Sequence, residues 1–182
     1  LNQVTPDSGQ PPAFVAAFAG GVSLRYGENP HQSAVFYRDP GATEACIAHA
    51  EILHGKEMSY NNFVDGDAAL EAVRELAGEP AVAIIKHTNP CGYSTGDTLA
   101  EAFEAAWAGD PVSAFGSVIA VSVAVDLETA QLTKGRFIEA LIAPDFEPDA
   151  LAFLQKKSKD LRLLKLHRPL GPAGPGAALR QV

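Results

Sequence analysis

The sequence AVAIIKHTNPCG, residues 81–92, is the most informative stretch of this chain. Five apolar residues lead into the pair Lys86 and His87, and a turn rich in Pro and Gly follows at once. A short apolar run bounded by turn signals is typical of a fully buried strand. Ligands bind beyond the carboxyl ends of strands in open α/β sheets, so this pair lies where a site would be built. The stretch therefore favours an enzyme.

Strands and helices alternate along most of the chain. Apolar runs predict further strands at residues 34–37, 117–123, 137–143 and 161–166, and helical spacing predicts helices at residues 65–77, 98–108, 126–134 and 148–157. Thr98 with Glu101 forms the pattern of a capping box, and Gly109 is a suitable stop for that helix. This order predicts an α/β fold in three α/β/α layers, with parallel strands joined by right-handed crossovers and helices on both faces.

Composition limits the classes of function. Of the 182 residues, 47% are hydrophobic and 20% are charged, which is typical of a globular protein with a core. The formal net charge of −8 argues against binding to nucleic acid or to anionic membranes. Apolar runs are shorter than the ~20 residues of a membrane span, and no signal-peptide pattern opens the chain, so a cytoplasmic location is expected. Residues 1–20 are predicted to be a linker, and residues 168–182 a Pro/Gly-rich tail.

The two cysteines argue against a metal centre. Cys46 and Cys91 are too few for a disulfide framework or a four-cysteine zinc site. Pro90 and Cys91 match the start of the Pro-Cys-x-x-Cys motif of zinc deaminases, but Ser94 stands at the position of the second cysteine. The sequence therefore predicts no metal site.

Several polar positions are candidates for a ligand site. A cation beside an imidazole favours the neutral ring that accepts a proton, which suits Lys86 and His87, although a structural histidine at a strand end is the alternative. In the polar loop 24–32, Arg25 offers a bidentate grip on phosphate and Tyr26 a ring with a hydroxyl. A solvated loop arginine explains Arg25 equally well.

Two further loops are ambiguous. Residues 59–63 are predicted to be a polar loop, and its Asn62 is a residue type common in turns and caps. Residues 110–117 contain small side chains and one aromatic, Phe115. Such a loop suits close approach to a planar ligand, and it also suits a plain tight connection.

Five segments together resemble a known family, the AICAR transformylase/IMP cyclohydrolase family. They are LRYGENPHQ at 24–32, SYNNFVDGDAAL at 59–70, IKHTNPCG at 85–92, DPVSAFG at 110–116 and IAP at 142–144. The match is to the first half of the formyltransferase domain of that family, so residues 21–167 would be the first of its deaminase-like subdomains. The resemblance implies a three-layer α/β/α unit similar to cytidine deaminases but without zinc.

The resemblance also implies a reaction. In that family a formyl group passes from 10-formyltetrahydrofolate to the 5-amino group of the AICAR ribotide, giving FAICAR in purine (IMP) biosynthesis. By resemblance His87 is the base that removes the amine proton. Lys86 would stabilise the developing charge and help to protonate the folate nitrogen that leaves. Both residues would therefore act on the reacting atoms.

The remaining site residues are carried over from the family in the same way. Arg25 and Tyr26 would touch the ribotide, with Arg25 at the phosphate. The ring and sugar region would be held by Asn62, Phe115 and Gly116. Glu139 occupies a position that is acidic in the family, and a carboxylate there suits the ribose hydroxyls.

Two departures from the family keep a second hypothesis open. Ser117 stands where many relatives have a second glycine, which is a mild change. The family domain also extends beyond this length, and its second half supplies much of the folate site, with sites formed across a dimer. The resemblance therefore implies a homodimer or a complementary second half-domain as partner. The alternative is a non-catalytic nucleotide-binding or partner-assembly half-domain that lacks the folate site.

Overall fold

The computed structural model describes residues 17–171 as eight strands, four α-helices and one short 3₁₀ turn. The strands are β1 Ala19–Leu24, β2 Ala34–Arg38, β3 Glu51–His54, β4 Ala81–Lys86, β5 Asn89–Thr95, β6 Ser117–Val121, β7 Ile138–Ala143 and β8 Arg162–Lys165. The helices are α1 Tyr60–Arg74, α2 Leu99–Gly109, α3 Leu127–Leu132 and α4 Pro148–Lys157, and the 3₁₀ turn is Ile47–His49. Six strands form one sheet in the order β3-β8-β7-β6-β4-β5, and β1 pairs with β2 as a separate hairpin.

The central sheet is mixed, so the prediction of parallel strands throughout was wrong. Strands β6, β7 and β8 run parallel, but β4 is antiparallel to both of its neighbours, and β3 is antiparallel to β8. Around β4 the cause is the hairpin strand β5, which the sequence analysis interpreted as a turn. Its Pro90 is tolerated because β5 is an edge strand, where a missing N–H donor leaves no central ladder bond unmade.

Helices cover both faces of the sheet, which confirms the three-layer α/β/α prediction. Alternate residues of each central strand point to opposite faces, as Val82 and Ala83 do in β4. One face packs against α1, whose buried residues include Leu70 and Val73. The other face packs against α2, α3 and α4, with Phe103 at its centre. The run 81–85 was therefore correctly predicted as a buried strand.

Helix caps explain where the sequence analysis was right and where it was wrong. Helix α2 begins after Thr98, whose side chain accepts from the Glu101 amide while Glu101 accepts from the Thr98 amide, as predicted. Helix α1 begins at Tyr60 and not near Asp65, because Ser59 and Asn62 form the same reciprocal cap. The predicted loop 59–63 is thus the cap and first turn of a helix.

The two ends of the chain fall largely outside the described residues. Strand β1 begins at Ala19, inside the predicted linker, whereas residues 1–16 of that linker are not described. The same holds for residues 172–182 of the predicted tail. Within residues 17–171, no helix has the length and apolar character needed to cross a membrane.

Candidate functional site

A cleft of about 910 Å³ lies between the β1–β2 hairpin, the start of α1 and one end of the sheet. Seven of the eight predicted site residues line it: Arg25, Tyr26, Asn62, Lys86, His87, Gly116 and Glu139. The eighth, Phe115, is outside the lining. The structure therefore brings together side chains from segments that are far apart in the sequence.

The sequence predicted a site at the carboxyl ends of parallel strands, but the cleft lies at the opposite end of the parallel strands. Lys86 is at the carboxyl end of β4, as expected. Because β4 is antiparallel to β6, that end lies beside the amino ends of β6, β7 and β8. Gly116, Glu139 and Arg162 therefore reach the cleft from the beginnings of their strands. The rule that ligands bind at carboxyl ends of parallel strands does not describe this site.

Lys86 and His87 sit where β4 turns into β5. Lys86 pairs with Asn89, so His87 and Thr88 form a two-residue hairpin loop. Their φ angles are +52° and +60°, which is the signature of a type I′ turn. Such turns normally contain Asn or Gly, and a β-branched residue at positive φ is strained. The base candidate therefore sits on an unusual backbone.

Asp65 in α1 holds this turn, a contact that the sequence analysis missed. Its carboxylate accepts the His87 amide at 3.2 Å and the Thr88 amide at 2.8 Å. The carbonyl of His87 accepts from the Thr88 hydroxyl at 2.7 Å and from the Asn89 side-chain amide at 2.8 Å. An acid among the buried residues of a helix was the available signal, because such a group must find donors.

Lys86 is half-buried and its amine is directed towards the loop before β6. Its Nζ donates to the Phe115 carbonyl at 2.7 Å. The Phe115 side chain is 61% exposed and packs on Phe137, with ring centroids 5.1 Å apart. Phe115 thus meets the site through its backbone. Gly116 follows with φ of +76°, and a Cβ there would come within 3.3 Å of the Phe137 ring.

Arg25 and Tyr26 form a pair on the hairpin side of the cleft. The Arg25 guanidinium lies 4.8 Å from the Tyr26 ring centroid and donates to its hydroxyl at 3.0 Å. Arg25 is exposed, so the remaining guanidinium donors can face an anion.

Asn62 is buried and mostly committed to the helix cap. Its Oδ1 accepts from the Ser59 amide at 3.1 Å and from the Ser59 hydroxyl at 2.8 Å. Only its side-chain NH₂ group is therefore left to donate to a ligand. A cap explains why Asn occurs here, as the sequence analysis allowed.

Arg162 is a second cleft residue that the sequence analysis missed. It is buried, donates to Glu139 Oε2 at 2.7 Å and donates through Nε to the Glu57 carbonyl at 2.9 Å. This ion pair fixes the Glu139 carboxylate at the cleft wall. A single arginine at the start of an apolar strand was the sequence signal.

The other charges of the cleft are divided into paired and unpaired groups. Lys56 and Asp160 form an ion pair at 2.8 Å, and the hydrogen bond from Lys56 holds the Asp160 pKa below its usual value. Among residues 17–171, no carboxylate lies within salt-bridge distance of Arg25 or Lys86. Arg38 also lines the cleft without an ion pair among residues 17–171, so these three cations are the groups best able to attract an anionic ligand.

The thiols near the sheet are not reactive groups. Cys46 and Cys91 are free, and burial raises the pKa of both. A thiol with a raised pKa stays neutral at pH 7 and is a poor nucleophile or ligand. Within the described part of the chain, no cluster of His, Cys, Asp or Glu has an arrangement suited to a metal ion.

Comparison with known proteins adds independent findings. A sequence model of the family described as "AICARFT/IMPCHase bienzyme" matches residues 2–182. The "Bifunctional purine biosynthesis protein PurH" of Halalkalibacterium halodurans is 53% identical over 156 residues, which is 86% of this chain and 30% of that protein. The protein of the same name from Bacillus subtilis (strain 168) is 50% identical over 157 residues, again 86% and 30%. That of Bacillus cereus (strain B4264) is 47% identical over 168 residues, 91% and 32%. The chain spans about 30% of the length of these curated relatives.

Proposed function

Because the chain belongs to the AICARFT/IMPCHase bienzyme family, we propose that it carries the ribotide-binding and proton-transfer part of a formyltransferase in purine biosynthesis. The reaction moves a formyl group from 10-formyltetrahydrofolate to the 5-amino group of AICAR, giving FAICAR. One observation carries the proposal: Lys86 and His87 lie side by side in a cleft that is also lined by Arg25, Tyr26 and Glu139. This transfer needs a base, two cations and a hydrogen-bond acceptor for the ribose hydroxyls, and these are the groups that the cleft offers.

His87 is the base in this proposal. The 5-amino group of AICAR is conjugated with the imidazole carboxamide ring, so it is a weak nucleophile until it loses a proton. As the new C–N bond forms to the formyl carbon, the amine proton passes to the His87 ring. Acid–base help of this kind contributes about 10²- to 10⁴-fold to the rate.

Lys86 acts on the other atoms of the transfer. Attack turns the formyl oxygen into an oxyanion, and the Lys86 ammonium stabilises it. When the intermediate collapses, the bond from the formyl carbon to N10 of the folate breaks and N10 takes a proton from the Lys86 ammonium. The proton that His87 accepted from the amine then restores Lys86, so one proton moves overall from the amine to N10. The bond from Lys86 to the Phe115 carbonyl uses one of its three N–H donors and leaves two.

The ribotide is held by groups on opposite walls of the cleft. Arg25 binds the phosphate, and Tyr26 packs beside it. Glu139, fixed by Arg162, accepts from the ribose hydroxyls. Asn62 and the Phe115–Gly116 backbone face the base and sugar. The folate approaches from the open side, where a second copy or a second half-domain completes the site.

The test compares formyl transfer with AICAR binding in the natural full-length protein. We expect His87→Ala to lower kcat for FAICAR formation by about 10²-fold or more, with the Kd for AICAR within threefold of the wild type. His167→Ala is the matched control, because His167 is exposed and outside the cleft. Equal loss of transfer and binding would overturn the role of His87. Wild-type protein that binds AICAR but transfers nothing would favour the non-catalytic half-domain.

A further inference from the structure

We propose that Asp65 is a positioning residue that holds His87 in place for proton transfer by gripping the turn on which His87 sits. The inference rests on the proposed function, in which His87 is the base. Asp65 is buried in the second turn of α1 and lines the same cleft. It touches the backbone of the base and not its ring, so its effect on catalysis is indirect.

The two hydrogen bonds from the turn occupy both oxygens of the carboxylate. Oδ2 accepts from the His87 amide at 3.2 Å, and Oδ1 accepts from the Thr88 amide at 2.8 Å. An ionised carboxylate accepts through both oxygens, whereas an Asn side chain has one acceptor and one donor group. An amide in this position would therefore point its NH₂ at a backbone N–H. The geometry requires an acid and not merely a polar side chain.

The turn needs such a partner because the β-branched Thr88 disfavours positive φ. His87 and Thr88 both adopt positive φ, although neither is Gly, Asn or Asp. Residues kept in this region persist only where the surrounding structure over-determines them, and they cluster at functional sites. Here the additional constraint comes from α1. The helix cap at Ser59 fixes the start of α1 and so helps to place Asp65 within hydrogen-bond distance of the 87–88 turn.

This arrangement predicts a specific kinetic effect. A displacement of about 1 Å in a catalytic group can cost 10²-fold in rate. Each oxygen of Asp65 already accepts a backbone amide, and the proposed contacts with the ribotide are made by other residues, Arg25 and Glu139 among them. Loss of Asp65 should therefore lower kcat and leave the KM for AICAR nearly unchanged. A residue that merely stabilised the fold would change neither constant in the surviving folded protein.

The experiment compares Asp65→Asn with Asp67→Asn, the same chemical change two residues along α1 at an exposed position outside the cleft. We expect Asp65→Asn to lower kcat about 10- to 100-fold, with KM for AICAR within twofold and with Asp67→Asn at the wild-type level. An unchanged kcat in folded Asp65→Asn protein would overturn the proposal. A rise in KM equal to the fall in kcat would also overturn it.

A second variant tests the backbone explanation. Thr88→Gly removes the strain at one turn position, so the turn should need Asp65 less. We measure the fall in kcat that Asp65→Asn causes in the wild type and in the Thr88→Gly variant. We expect this fall to be at least about fivefold smaller in the Thr88→Gly background, that is, in the double variant Asp65→Asn/Thr88→Gly. If Asp65→Asn fails to fold, the double variant is compared directly with Thr88→Gly. A kcat in the double variant that stays 10- to 100-fold below that of Thr88→Gly would mean that relieving the strained turn does not replace Asp65. That result would overturn the proposal that Asp65 acts by holding the turn.

Amide hydrogen exchange gives a readout that does not depend on activity. In wild-type protein the His87 and Thr88 amides should be protected, and Asp65→Asn should speed their exchange about tenfold, which corresponds to one hydrogen bond of ordinary strength. Unchanged exchange at both amides would overturn the proposal. A wild-type protein without formyl transfer would contradict the proposed function alone, and amide exchange would then decide whether Asp65 holds the turn.

Discussion

At the scale of single residues, some charged side chains of the cleft are paired within the protein, and others are free to contact a ligand. Arg162 and Lys56 are paired with carboxylates, and Asp65 is occupied by two backbone amides. Among residues 17–171, Arg25 has only the hydroxyl and ring of Tyr26 as partners. This division explains how a chain with a net charge of −8 can still attract an anion at one place.

Arg25 should therefore discriminate the ribotide from its nucleoside. A charge-assisted hydrogen bond contributes about 1.5–3 kcal/mol, so Arg25→Met should weaken AICAR binding about 10- to 100-fold. Binding of the nucleoside, which has no phosphate, should change less than threefold. Calorimetric titration of both ligands measures the difference. Arg168→Met is the control, since Arg168 is exposed and outside the cleft. Equal weakening of both ligands would show that Arg25 does not bind the phosphate.

At the scale of elements, local sequence rules predicted most helices and central strands correctly. The apolar run 81–85 and the capping pair Thr98 and Glu101 are examples in which burial and local chemistry agree. They failed at 89–95, where Pro90 and Gly92 suggested that the turn continues but β5 forms. Gly92 is required there because a Cβ would collide with the Ala106 carbonyl of α2. That reason is tertiary, so no local pattern could reveal it.

The same limit applies to the candidate site. The residues on loops and strand ends that line the cleft were predicted through their motifs, whereas Asp65 and Arg162 were not. Both act through backbone groups that are distant in sequence, namely the turn at 87–88 and the carbonyl of Glu57. A buried charge signals that partners exist. It does not say which groups they are.

The cap of α1 gives a prediction at this scale. Ser59→Ala removes the hydroxyl that accepts from the Asn62 amide and donates to its side chain, so the free energy of unfolding should fall by about 1 kcal/mol. Urea denaturation measures the change. Ser94→Ala is the control, because within the described part of the chain the Ser94 hydroxyl bonds only to the neighbouring Thr95 carbonyl in the edge strand. Equal stability of the two variants would show that the cap is not what begins α1.

At the scale of the whole molecule, the reversal at 87–88 decides where the site can form. Because β5 returns beside β4, the chain enters β6 in the opposite direction to β4. One end of the sheet therefore collects the end of β4 and the starts of three parallel strands. The β1–β2 hairpin closes this end, where Phe36 stacks on Phe63 of α1 with ring centroids 4.1 Å apart.

The fold as a whole should lose stability in acid in two separate steps. Although His167 is largely exposed, partial desolvation of its ring, with the nearby charges of His49 and Arg168, lowers its pKa below 6.5, so the folded state disfavours the protonated ring that the unfolded chain readily forms. Stability should begin to fall as the pH drops below about 6.5. The hydrogen bond from Lys165 lowers the pKa of Asp145 below 3.8, so the contribution of that pair is complete above this value and is lost as the pH falls through the folded-state pKa.

Urea denaturation between pH 8 and pH 3 measures the free energy of unfolding across both steps. Each step should be removed by one substitution, so the variants distinguish them. His167→Ala should flatten the stability curve near pH 6 and leave the loss below pH 4 intact. Lys165→Met should do the reverse, and its effect should shrink in high salt because Asp145 is largely exposed and a surface pair is screened. Lys134→Met, a change of charge at an exposed position without an ion pair among the described residues, is the control. A stability curve that none of these variants alters would mean that other groups control the acid response.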